Sequence, residues 1–86
     1  MIARRIGVVG AGVRVESVLW HLSDTIEHPE SRPTDFVVSL RVRGKSVAVF
    51  RSNENGEVLL WEELTEIQGP YSHSDALRDL EWEVIE

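Results

Sequence analysis

The middle of the chain carries the clearest pattern. Phe36, Val38, Leu40 and Val42 alternate with Val37, Ser39, Arg41 and Arg43, which is the period of a strand. Gly44-Lys45 then breaks the run and offers a two-residue turn with Gly first. Ser46 to Arg51 reads as the returning strand, with Val42 opposite Val47 and Leu40 opposite Val49. Asn53-Glu54-Asn55-Gly56 is a second turn signal, and Glu57 to about Glu63 a third strand. A four-residue loop pairs Val49 with Leu60 and Phe50 with Leu59. A shorter turn would set Glu54 against Glu57, which like charge disfavours.

This predicted three-stranded antiparallel meander, about residues 35–63, is apolar on both faces. Phe36, Val38, Leu40, Val42, Val47, Val49, Val58 and Leu60 lie on one face, and Val37, Ala48, Phe50, Leu59 and Trp61 on the other. A free antiparallel sheet wets one face, so both faces here call for cover, from helices or from a partner.

The flanks offer helices. Val15, Leu19, Leu22 and Ile26 fall on one helical stripe, and Pro29 ends it. At the C-terminus Ser72 or Ser74 can cap a helix with Asp75 in its first turn, and Leu77, Leu80 and Val84 share a face. The resulting expectation is an α+β domain, the meander flanked by an N-terminal and a C-terminal helix. Two segments also read as strands: Val13 to Glu16 alternates, as does Leu80 to Val84. A small all-β barrel with a strand through Val13 to Trp20 is therefore the alternative.

Length and composition bound the rest. Eighty-six residues, 42% hydrophobic and 28% charged, suit one domain, 1–86. There is no cysteine, so disulfides and thiolate metal sites are excluded, and a cytoplasmic setting is the expectation. The longest apolar runs are four residues, against about 20 for a membrane helix. Arg4 and Arg5 precede an apolar run that the glycines and Arg14 end too early for a signal-peptide core.

Charge is lopsided. Of the net −6, residues 1–53 hold eight basic and five acidic groups, whereas residues 54–86 hold ten acids and only Arg78. An acidic half of that kind points to a basic partner surface, through association rate and salt sensitivity.

Ile6-Gly7-Val8-Val9-Gly10-Ala11-Gly12-Val13 resembles the strand and glycine turn that open a dinucleotide-binding Rossmann domain. The resemblance covers about ten residues. It implies that the Gly10-Ala11-Gly12 turn holds a pyrophosphate at a helix start. Val15 departs from the pattern where the third glycine falls. The helix–strand–strand–strand–helix order is similar in outline to a double-stranded-RNA-binding domain. That family grips phosphate with a basic helix start, whereas Ser74-Asp75 opens an acidic one here, so direct nucleic-acid binding is not expected.

Candidate chemistry is sparse. His21, Asp24 and His28 share a helical stripe but lack further ligands, so no metal and no cofactor is expected. There is no cysteine nucleophile and no Gly-x-Ser-x-Gly elbow. His73 between Ser72 and Ser74 does not make a triad, because triad members are recognised by geometry. The expectation is therefore not an enzyme but a small acidic protein-binding domain of the inhibitor, immunity or nucleic-acid-mimic type. Its contact residues are expected to be Trp20, Glu62, Glu63, Glu66, Asp79, Trp82 and Glu83. Trp61 is assigned to the core, and Arg41, Arg43 and Lys45 form a possible anion contact. The alternatives are a homo-oligomeric accessory protein or a small-molecule or nucleotide binder at the glycine turn.

Overall fold

The computed structural model describes residues 1–9, 15–42, 46–65 and 72–86. The chain builds β1 (Ile2–Val8), β2 (Val15–His28), β3 (Ser31–Val42), β4 (Val47–Ser52), β5 (Val58–Leu60), α1 (His73–Arg78) and β6 (Glu83–Ile85). All six strands join one mixed sheet in the order β5-β4-β3-β2-β1-β6. Neighbours from β5 to β1 run antiparallel, and β6 returns parallel to β1 after α1. The two-helix α+β expectation is thereby overturned, and the all-β alternative is closer.

The N-terminal helix is replaced by β2, a 14-residue strand. Val18, Leu19, Trp20 and Leu22 are all buried. Strand geometry sends Val18, Trp20 and Leu22 to one face and Leu19 to the other. A strand buried on both sides shows an almost unbroken apolar run, which a helical stripe also satisfies. Opposite His21 and Ile26 of β2 stand Phe36 and Thr34 of β3, so β2 carries extra residues there. Such bulges bend a strand and deepen its twist.

The meander is present with a different register. Arg41 pairs with Val47, Leu40 with Ala48 and Ser39 with Val49, not Val42 with Val47 or Leu40 with Val49. A one-residue slip exchanges the faces of a strand. Here both faces are apolar, so alternation alone does not choose between the two registers. The Gly44-Lys45 turn lies outside the described residues. The longer Asn53 loop is observed, with the Asn53 side chain accepting from the Asn55 and Glu57 amides at 2.9 and 3.0 Å. Beyond it Arg51 pairs with Leu60 and Ser52 with Val58 across a bulge, and β5 ends at Leu60.

The C-terminal helix is short. Ser72 caps it by accepting from the Asp75 amide at 3.1 Å. Glu81, at φ 64°, turns the chain into β6, so the second half of the expected helix is a strand.

Each face of the sheet finds a cover. Ala76 and Leu77 of α1 pack into a core with Ala3, Val18, Trp20, Leu22, Val37, Val47 and Val49. On the other face Leu19, Val38 and Phe50 stand in register and are buried. Two contacts join the β1 and β2 side of the sheet to its β5 side. Val9, beyond β1, lies so close to Gly56 in the β4–β5 loop that a Cβ there would come 2.7 Å from its Cγ2. His28, at the end of β2, reaches Glu62 beyond β5 at 3.3 Å.

Candidate functional site

The best-connected polar cluster joins three elements. The Trp20 indole N–H of β2 donates to Ser39 Oγ of β3 at 2.8 Å. Ser39 Oγ lies 2.6 Å from His73 Nδ1 of α1. His73 Nε2 lies 2.6 Å from Glu16 Oε1, back on β2. Burial holds the His73 imidazole below its usual titration range and outweighs the Glu16 carboxylate, which pulls the other way; Arg41 and Arg5 add to the lowering. In the neutral ring, Nε2–H donates to Glu16 and Nδ1 accepts from the Ser39 hydroxyl. The result is a directed chain from a core indole to a surface carboxylate.

Ser39, His73 and Glu16 are the residue types of a hydrolase triad, brought together from separations of 34 and 57 residues. Their setting is different. Ser39 is 0% exposed, and its oxygen already accepts the Trp20 N–H. A nucleophile must reach its substrate. This serine is sealed beneath α1, so the chain clasps the helix to the sheet.

A second cluster lies on the open surface. His21 Nε2 is 2.8 Å from Asp35 Oδ2, and its ring stacks on Phe36 with centroids 4.8 Å apart. His21 and Asp35, with Ile2, Arg4, Leu22, Ser23 and Ile85, line a cavity of about 300 Å³. Among the described residues no group of three His, Asp or Glu side chains is placed to hold a metal ion. The expected His21/Asp24/His28 stripe is split, because His21 turns to Asp35 and His28 to Glu62.

The third feature is Trp61. Assigned to the core from sequence, it is 72% exposed. Its ring meets Phe50 edge-on, with centroids 5.1 Å apart, and Glu62 and Glu63 beside it are exposed. Beyond β5 the sheet has no further neighbour among the described residues.

The expected contact residues scatter. Trp20 is fully buried and cannot serve as a surface anchor. Trp82 is half-buried against the core. Asp79 is exposed at the end of α1, and Glu83 is exposed on β6 at the opposite edge of the sheet from Glu62 and Glu63. Glu66, Arg43 and Lys45 lie outside the described residues, as does the Gly10-Ala11-Gly12 turn. Arg41 is half-buried opposite Glu16. The segment after that glycine turn continues as antiparallel β2. From Val15 on, the described residues form a strand where a Rossmann domain would run a helix.

Among the described residues no helix is long and apolar enough to cross a membrane. Compared with protein-family models, with curated proteins and with solved structures, the chain finds no match.

Proposed function

We propose that the protein is a small acidic partner-binding domain whose contact surface is the β5 edge, with Trp61 as its apolar anchor and Glu62 and Glu63 as its charged flank. The exposure of Trp61 carries this reading. A small domain gains from burying a tryptophan, yet this one stays 72% exposed while its edge contact with Phe50 restrains it. Tryptophan is the side chain most enriched at binding hot spots. The surrounding half of the chain is strongly acidic, so the complementary surface is basic. A non-enzymatic role accords with the burial of Ser39, the serine that the described residues place in a Ser–His–Glu chain.

The test is capture of partners from source-cell lysate after nuclease treatment, by the wild type and by Trp61→Ala and Glu62→Lys/Glu63→Lys variants, across a salt series. A stoichiometric protein lost with either variant, and washed off as salt rises, is the expected result. A partner retained equally by all three proteins at all salt concentrations overturns the assignment.

A second reading, homo-oligomerisation, is favoured by Ile6 and Val8. They are 54% and 62% exposed on β1 beyond the three residues that pair with β6. Light scattering of a dilute sample decides it: a clean monomer removes this reading.

A further inference from the structure

Arg51 sits on the α1-covered face of β4, opposite Val37 and Leu60. It is only 9% exposed. Its Nε and Nη1 are shut away from solvent with no hydrogen-bond partner. Among the described residues the side chain forms neither a hydrogen bond nor an ion pair. Two arginines held in ion pairs, Arg5 and Arg78, behave differently. Arg5 meets Glu86 and Arg78 meets Asp75, both at the surface where pairing matters least.

A buried cation has two ways out of its desolvation cost: lose the charge or find an anion. His73 takes the first, since burial lowers its proton affinity into the neutral form. A guanidinium cannot, because it does not deprotonate in proteins. The strand neighbour Val49 and the cross-strand neighbour Val37 offer Arg51 no counter-charge. With Nε and Nη1 enclosed, Nη2 is the end at which the group meets solvent, so an approaching anion arrives there.

We propose that Arg51 is the cationic anchor of an oxyanion site, its guest a small molecule or chain end bearing a phosphate or carboxylate group. The two groups share the chemistry the site needs, since each brings an anionic oxygen that can accept a charge-assisted hydrogen bond at Nη2. This inference stands apart from the β5-edge contact surface and does not depend on it.

The probes are inorganic phosphate and acetate, each added to the full chain against chloride at matched ionic strength. The first readout is the Arg51 Nε–H resonance in ¹⁵N-resolved spectra. A saturable shift is expected, and which probe causes it tells phosphate from carboxylate recognition. The second readout is thermal unfolding of wild type and Arg51→Met. The wild type is expected to gain about 4 °C or more on saturation, and Arg51→Met much less. The variant also controls for the general stabilisation that excluded salts give any protein. No resonance shift with either probe, or an equal thermal gain in both proteins, overturns the proposal. Should Arg51→Met fail to fold, the resonance titration of the wild type still decides it.

Discussion

Replacing Ser39 with alanine tests the clasp between α1 and the sheet. The substitution removes a single oxygen, yet two buried groups lose their partner. The Trp20 indole N–H, on a residue 0% exposed, loses its acceptor. His73 Nδ1 loses its donor. No solvent reaches Trp20, so its N–H cannot exchange one partner for another. A buried polar group left unsatisfied costs about 1–3 kcal/mol, so the two together cost about 2–6 kcal/mol. A domain of this size has about 5–15 kcal/mol in all, and each kilocalorie is worth about 4–8 °C in Tm. Urea unfolding of Ser39→Ala should therefore show a large fall in midpoint with little change in slope. Trp20→Phe supplies the control, because it removes the orphaned donor. In the double variant the loss should be smaller than the sum of the singles by about 1–2 kcal/mol. A Ser39→Ala protein within about 0.5 kcal/mol of wild type, or strictly additive singles, would refute the account of Ser39 as the hub.

Other expectations follow from single contacts. His73 has a lowered folded pKa, so below about pH 6.5 the unfolded chain binds the proton more readily. Stability should thus rise with pH through the window between the folded value and about 6.5, and fall as pH drops through it. His73→Gln should flatten that slope in thermal scans from acid to neutral pH, and an unchanged slope argues against it. Gly56, at φ +83° with Val9 Cγ2 against it, should lose about 1–2 kcal/mol as alanine. Val9→Ala should recover only the steric part of that loss in the double variant. Ser72→Ala should cost about 1 kcal/mol by uncapping α1, read by chemical denaturation. Trp61→Ala should weaken partner capture while lowering stability by no more than about 1.5 kcal/mol, the edge contact with Phe50 being its described ring contact.

The meander, its long second loop and the Ser72 cap were legible in the sequence, because turn residues and alternation specify them locally. The need to cover both faces was legible as well, from Val37 beside Val38 and Val49 beside Phe50. Register was not. Either register buries apolar side chains on both faces, so the choice falls to contacts such as Ser39 with Trp20 that the strand's own sequence does not display. For the same reason β2 read as a helix: an apolar stripe at helical spacing and a strand buried on both faces differ only in what surrounds them. The Glu16–Ser39–His73 chain left no local signal, since its members lie on three elements far apart in sequence. Trp61 was misplaced by a size argument. A small domain needs buried area, but Trp20 supplies it from the centre of the sheet and leaves Trp61 for the surface.

That exchange of roles bears on function. Had Trp61 been buried with Phe50, the β5 edge would end in a polar rim with little to grip. Instead the edge presents an aromatic ring restrained by Phe50, with two carboxylates beside it, one of which reaches back to His28. The pair Glu62–His28 ties the segment after β5 to the end of β2, so the anchor stands on a braced segment. Preorganisation of this sort lowers the entropy lost on docking, and that saving appears in affinity. Loosening the brace with His28→Ala should therefore weaken partner capture without substituting any of the contact residues Trp61, Glu62 and Glu63. Capture by that variant equal to wild type would mean that Trp61 is held by Phe50 alone.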